Sequence, residues 1–437
     1  MVAYDSALKL MPKPKPVTYT EWLEGRCPEH LSTNAGTHQA PFQGWRNFKE
    51  AYAPELIGQA FEETSVQLGR PVKSCIDPFG GSGTTALACQ FLGVRPTTIE
   101  VNPYLADLIE AKLSRYDLEE LIADFKTVTE APRLRAADPF PGAPSTFVEP
   151  GVKERFLFPL DVAQRLASLR HHISKVKNPI NQRLMRVMLG AVALPVSNVV
   201  VSGKGRRYKP NWMARLASPD QVDELFIDSV VRAIYEIRRF QDRKIKTFNL
   251  VRGDSRENYP SRRRFDMAVF SPPYPNSFDY TDVYNVELWV CEYLTNAEGN
   301  RNLRSSTLRS HVQVARSYKT QDLESATLTK VAEDLADVRS SLWNKNIPDM
   351  VGAYFGDMAT ILSKLSKSVN EGGRIYMVVG DSQYAGVQVP VAKVLCEIAQ
   401  NMGLELAAEE PFRSMRASPQ QGGRLELLET LITLNKN

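Results

Sequence analysis

Cysteine is scarce in this chain: five in 437 residues (Cys27, Cys75, Cys89, Cys291 and Cys396), with no CxxC pair among them. That argues against a disulfide framework and a zinc site, and it fits a reducing cytoplasm. Long apolar runs are also missing, and no secretory leader is evident, so a membrane span is not expected and a cytoplasmic location is. Charge of one sign is lacking too. Lys and Arg number 54 against 50 Asp and Glu, a net charge of +4, so any nucleic-acid contact must come from local patches rather than a global basic field. No internal repeat is evident. What remains is ordinary soluble composition, 43% apolar and 24% charged. The length allows one large domain with insertions or two to three smaller ones.

Strand and helix signals alternate in two stretches. "KSCIDPFGGSGTTALACQFLG" reads as strand, Gly-rich turn and helix, with apolar and small residues at helical spacing and Gly93 as C-cap. "RPTTIEVNPYLADLIEAKL" repeats the pattern, which means βαβ units and a parallel sheet. The alternation breaks over residues 114–245, where three helical patterns surround a basic loop, "SGKGRRYKPNW". That is too long for a connection and reads as an insertion. The sheet resumes at "KTFNLVRGDSRE" and "FDMAVFSPPY", pauses over a polar stretch at about 295–347, and ends in two strands expected to form a hairpin. Residues 1–20, with "MPKPKP", read as a loose arm.

The Gly-rich turn, "DPFGGSGTT", sets Gly80, Gly81 and Gly83 between a strand and a helix. Glycines there admit a ligand close to the backbone, and the helix start offers free N–H groups. The turn lacks the Lys of a phosphate-binding P-loop and does not match GxGxxG. Glu100 ends the next strand, where a carboxylate accepts hydrogen bonds from ribose hydroxyls. A ribose-binding acid without phosphate machinery points to an adenosine-type cofactor lacking phosphate, and S-adenosylmethionine fits. The bland alternative is a left-handed turn beside a surface glutamate.

The stretch "FDMAVFSPPYPNSFDYTDVYNVELWV" stops a strand with two prolines. Pro cannot continue a central ladder, and the carboxyl edge of an open α/β sheet is where ligands bind. Ser271 as a turn cap and Tyr274 as a core aromatic are the bland alternatives.

Together, "DPFGGSGTT", "IEVNP" and "SPPY" resemble the S-adenosylmethionine-dependent DNA amino-methyltransferases, which methylate the exocyclic amino group of cytosine or adenine. "PFQGWRNFKEAYAPELI" is similar to the family segment that closes over the methionine end of the cofactor, although it departs from the common His-Pro-rich version. "GDSRE" resembles the third-strand motif, whose acid, here Asp254, lies near the adenine. The resemblance implies an α/β fold of the Rossmann-like methyltransferase type, a seven-stranded sheet with a reversed last strand, interrupted here by a large mainly helical insertion. It divides the chain into an arm (1–35), a catalytic domain (36–113 and 246–437) and an insertion (114–245) in the place of a target-recognition region.

Carried over residue by residue, it assigns cofactor contacts to Asp77, Pro78, Phe79, Gly80, Gly81, Ser82, Gly83, Thr84, Glu100, Asn102, Asp254 and Ser255. It assigns catalysis to Ser271, Pro272, Pro273 and Tyr274. Ser271 Oγ and the Pro272 carbonyl are candidate acceptors for the amino N–H groups, and Tyr274 offers a flat face to a flipped base. Direct attack on the sulfonium methyl then needs neither a covalent intermediate nor a metal. Ser in the first motif position resembles the cytosine-N4 enzymes, and Asp or Asn the adenine-N6 enzymes. The alternatives are an adenine-N6 enzyme, an RNA guanine-N2 methyltransferase, and an inactive DNA-binding subunit. The intact motifs speak against the last.

The expected partner is double-stranded DNA, with a cognate restriction nuclease or phage-defence component as a further candidate. In the basic loop, Lys204, Arg206, Arg207 and Lys209 are interleaved with Tyr208 and followed by Trp212, a composition suited to phosphates and guanine edges. A solvated surface loop is its bland alternative.

Overall fold

The structure is a computed structural model; it describes residues 17–28, 31, 37–46, 52–202, 205–243, 246–276, 278–416 and 426–437. Its strands, in chain order, are β1 (Ser74–Asp77), β2 (Arg95–Glu100), β3 (Val199–Ser202), β4 (Gly205–Tyr208), β5 (Asn249–Arg252), β6 (Phe265–Phe270), β7 (Val369–Gly380), β8 (Ser382–Tyr384), β9 (Val387–Val389), β10 (Leu404–Arg416) and β11 (Glu426–Lys436). Seven of them form one sheet in the order β5-β2-β1-β6-β7-β11-β10. Neighbours are parallel from β5 to β7, and β11 runs antiparallel to both β7 and β10. This is the seven-stranded methyltransferase sheet with its reversed last strand, as the resemblance implied.

β6 lies between β1 and β7 and is buried along its whole length, which explains its apolar "FDMAVF" run, whose one charge, Asp266, is paired with Arg70. From Met267 onward side chains alternate across it: Met267 and Val269 join one core layer, and Ala268 and Phe270 the other; Phe265, before a register shift in the pairing with β7, also joins the second. The first layer packs the Glu55–Leu68, Thr84–Leu92 and Pro103–Leu113 helices, and the second packs the Ile347–Ser368 and Val391–Gln400 helices.

The segment read as an insertion carries, among its described residues, four α-helices, Leu118–Glu130, Leu160–Ser174, Pro179–Val196 and Pro219–Arg239, besides the β3–β4 pair. Asp117, Asn178 and Ser218 cap three of them, and Pro179 and Pro219 occupy first-turn positions where a missing N–H costs nothing. The insertion shares its core with the first sheet layer. The contact is close at Gly190, where a Cβ would stand 2.4 Å from Tyr104 Cε2. Tyr104 also donates its hydroxyl to Val187 O at 3.1 Å.

Two local expectations change, and one element is new. The basic loop is a β-hairpin, with Val199 opposite Tyr208 and Val201 opposite Arg206; the β-branched "VVV" run supplies the first strand. The arm is not wholly loose, because "YTEWL" forms a helix, Tyr19–Leu23, with a Thr18–Glu21 capping box. Its Trp22 is fully buried and stacks on Phe91 at 4.6 Å, which removes a large apolar surface from water. The short β8–β9 hairpin has no counterpart among the sequence-based expectations.

Candidate active site

The Gly-rich turn begins where β1 ends. Asp77 accepts the Phe79 N–H at 2.9 Å, and Gly80 donates to Ile99 O at 2.9 Å. A Cβ on Gly80 would lie 2.3 Å from Thr98 Cγ2, so the turn is pressed onto β2 as no other residue would allow. Gly83 adopts φ +81 and starts the Thr84–Leu92 helix.

Glu100 closes β2 with its carboxylate turned back to the turn. Oε2 accepts the Gly81 N–H and Oε1 the Asn102 N–H, each at 2.7 Å. Burial pushes this carboxyl up to about 7, against the pull of those two N–H groups, and neighbouring Asp77 adds to the rise. Asp77 itself is pushed up to about 7 by burial. Asn102 caps the Pro103–Leu113 helix by accepting the Tyr104 N–H at 3.0 Å. From that helix the buried Lys112 donates to Ser82 O at 2.7 Å and Gln43 Oε1 at 3.2 Å, and burial lowers its ammonium to about 7. It thereby ties the upstream segment to the turn.

The upstream segment is clamped elsewhere as well. Trp45 Nε1 donates to Glu236 Oε2 at 2.8 Å, on a helix of the insertion. Arg46 pairs with Glu287 at 2.5 Å; burial opposes the guanidinium's charge, but Glu287 holds it well above its ordinary value. Tyr52 hydrogen-bonds Thr85 Oγ1 and donates to Val269 O at the end of β6. Asn47, Phe48, Lys49, Glu50 and Ala51 lie outside the described residues.

Beyond β6, the prolines carry the chain out of the ladder. Tyr384 of β8 donates to Pro275 O at 2.8 Å, and Asn276 N–H donates to Tyr274 O at 2.7 Å, which fixes the loop. Tyr274 donates its hydroxyl to Glu429 Oε1 on β11 at 3.0 Å and lies 3.3 Å from Ser271 Oγ. Arg413 of β10 donates Nε–H to the other Glu429 oxygen at 2.6 Å.

One cavity of about 330 Å³ joins the two motifs. Pro78, Phe79, Gly80, Gly81, Ser82, Thr84, Glu100, Asn102, Asp254, Ser255 and all four residues of Ser271–Tyr274 line it. Asp77 and Gly83, also expected to contact the cofactor, are not among its lining residues. Asp254 is engaged by Arg256, whose Nε is 3.0 Å from both carboxylate oxygens, and Ser255 donates to Pro78 O.

The cavity has residues that sequence reasoning did not single out. Ser306, Thr307, Leu308, Ser310 and His311 form a wall within the polar stretch. Arginines hold that irregular segment: Arg309 pairs with Asp357 at 2.6 Å, and Arg316 donates to Thr307 O and Leu308 O. His311 is buried, which lowers its pKa to about 4 and leaves it neutral near pH 7. The periodicity of this stretch announces nothing. Glu429 did leave a signal: a lone acid inside "LLETLITL", on the face shared by Leu427 and Leu431.

The basic hairpin meets the site at its edge. Arg206 pairs with Asp282 at 2.9 Å, one residue after cavity-lining Thr281. Lys209 turns inward and donates to Pro195 O at 2.6 Å, and burial lowers its ammonium. Arg207 is exposed, and Lys204 lies outside the described residues. Among the described residues, no cluster of three or more His, Cys, Asp or Glu is arranged to hold a metal ion, and no helix is long and apolar enough to cross a membrane.

No protein-family model matches the chain. Against solved structures, the TehB-like SAM-dependent methyltransferase of Corynebacterium glutamicum aligns with 88% of this chain and 98% of its own, at 9% identity and a TM-score of 0.25. The chain is 24% identical over 434 residues to the Type II methyltransferase M.AvaI of Nostoc sp., covering 87% of this chain and 83% of the relative. It is 23% identical over 425 residues to the Type II methyltransferase M.BsoBI of Geobacillus stearothermophilus, covering 86% and 81%. Along most of its length, then, this protein is similar to Type II methyltransferases.

Proposed function

We propose that the protein is a DNA methyltransferase that modifies the exocyclic N4 amino group of cytosine, using S-adenosylmethionine. The observation that carries this reading is the single cavity lined by both the Gly-rich turn and Ser271–Tyr274. The length-wide similarity to Type II methyltransferases supports the DNA substrate.

The cavity residues fit the cofactor. Glu100 is a cavity-lining carboxylate that burial pushes up to about 7 despite two N–H partners, and ribose hydroxyls are further donors to it. Gly80 and Gly81 leave the wall bare of side chains, and Asp254 and Ser255 close the far end. When bound, S-adenosylmethionine supplies an electrophilic methyl group on sulfur.

The protein's own task is to make a poor nucleophile adequate. The amino nitrogen of cytosine has its lone pair spread into the ring. Ser271 Oγ and the Pro272 carbonyl accept its N–H bonds and draw the nitrogen toward a tetrahedral shape. The two prolines fix that carbonyl before substrate arrives, and such positioning is a large source of catalytic rate. Tyr274 stacks on the flipped base. Ser271, in place of an acid or amide, favours cytosine N4 over adenine N6. The insertion and the β3–β4 hairpin read the duplex, with Arg207 as the exposed cation and Arg206 held beside the cavity edge by Asp282. A restriction nuclease of matching specificity is the partner that the Type II relatives suggest.

The test is nucleoside mass spectrometry on double-stranded DNA incubated with the protein and S-adenosylmethionine. N4-methylcytosine is the expected product. N6-methyladenine alone would overturn the base assignment, and methylation of RNA but not DNA would overturn the substrate.

A further inference from the structure

Ser271 can serve as an acceptor for substrate only if its own hydrogen points elsewhere. The hydroxyl has one hydrogen and two lone pairs, and its rotor is free unless a neighbour fixes it. Around Ser271 Oγ the structure supplies such a neighbour, the Tyr274 hydroxyl at 3.3 Å. Taken as a pair, these two hydroxyls are ambiguous, since either can donate. The ambiguity ends at Glu429, because a carboxylate only accepts. Tyr274 lies 3.0 Å from Glu429 Oε1 and has a single hydrogen, which goes there. Ser271 must then donate to Tyr274, and its lone pairs are left for the incoming amino group.

We propose that Glu429 is the positioning residue that sets the direction of this relay, from Ser271 through Tyr274 to Glu429, and so makes Ser271 an acceptor. The inference rests on the methyltransferase reading above. Glu429 is buried, at 4% exposure, and is itself oriented by Arg413, whose Nε–H reaches Oε2 at 2.6 Å. The strands contributing Arg413 and Glu429 lie at the reversed end of the sheet, far in sequence from Ser271. Tyr274 thus has two tasks, a ring for the base and a hydroxyl for the relay.

Substitution of Glu429 by Gln reverses the relay. Arg413 keeps the amide oxygen on its own side, so the amide N–H₂ faces Tyr274 and donates to it. Tyr274 then turns its hydrogen toward Ser271, takes one of its two lone pairs and leaves the Ser271 hydrogen to point at the incoming amino group. Glu429→Gln should lower kcat about tenfold or more, the scale of a charged hydrogen bond, with cofactor affinity unchanged. Tyr274→Phe keeps the ring but breaks the relay, and kcat should fall only about threefold. The decisive variant is the double one. With no phenol hydroxyl to reverse, Glu429→Gln/Tyr274→Phe should recover to the level of Tyr274→Phe, so the second substitution rescues the first. A merely structural role for Glu429 gives no such rescue.

The four proteins should be compared by single-turnover methylation of DNA and, without substrate, by their urea unfolding midpoints. Non-additive midpoints support the Glu429–Tyr274 contact, and additive ones overturn it. A double variant slower than Glu429→Gln, or Glu429→Gln turning over like the wild type, overturns the direction of the relay. If the wild type makes no methylated cytosine, the functional reading fails, and the midpoints still decide the contact.

Discussion

One wall of the cavity takes its residues from the stretch 78–102, a turn after β1, the start of one helix and the end of the next strand. The opposite wall takes Ser271–Tyr274, Ser306–His311, Arg413 and Glu429 from separate segments that meet only when the sheet is complete. The first wall is mostly backbone and buried acid, so it is suited to holding a ligand whose chemistry never changes. The second is made of side-chain hydrogen bonds whose direction matters, so it is suited to discriminating and activating a substrate. On the proposed function, cofactor binding is carried by a local motif, whereas reactivity depends on long-range packing.

The comparison can be broken most sharply at Tyr274. Removing the ring with Tyr274→Ala should lower methyl transfer by about fivefold to more than a hundredfold, since base–aromatic stacking is worth about 1–3 kcal/mol. Circular dichroism and S-adenosylmethionine binding should stay as in the wild type. An unfolded variant would make Tyr274 a core aromatic rather than part of the reactive wall.

A smaller effect is expected at the β3–β4 hairpin, the element proposed to contact DNA. Arg207→Ala should flatten the log–log salt dependence of DNA binding by about one unit, the signature of one lost phosphate contact. Lys209→Ala should leave the slope nearly unchanged, because its ammonium is already bonded to Pro195 O. Equal slopes for both variants and the wild type would place recognition elsewhere, with the polar stretch around Arg301–Lys319 as the next region to examine.

The smallest effect concerns the first wall alone. Glu100 has a folded pKa of about 7, raised above its unfolded value by burial. Such a group contributes stability that is present below the unfolded pKa and is lost as pH rises through the folded one. Glu100→Gln stays neutral, so its stability relative to wild type should grow between pH 5 and 8, the sign opposite to that of a salt-bridged acid. Paired denaturant titrations at the two pH values check this, and a gap that shrinks with pH would contradict the assignment.

The same division explains what the sequence made legible. "DPFGGSGTT", Glu100 and "SPPY" could be read because their chemistry is encoded in adjacent residues, and the sheet follows from apolar runs such as "FDMAVF". The basic segment was read as a loop because its Arg-Arg-Tyr strand has no apolar alternation; pairing with Val199–Ser202 decides its form. Ser306–His311 carries no period at all, since its shape is set by Arg309 and Arg316 reaching across to Asp357 and to backbone carbonyls. Trp22 was placed in an arm because the prolines nearby dominate the local signal, whereas the ring's burial against Phe91 decides the structure.

The central claim is that the two walls divide the labour, and calorimetric titration of S-adenosylmethionine into wild type, Glu100→Ala and Tyr274→Ala tests it most directly. The account predicts affinity weakened by about 1–3 kcal/mol in Glu100→Ala, the worth of a charged hydrogen bond, and wild-type affinity in Tyr274→Ala. Unchanged affinity in the first, or an equal loss in both, would contradict it.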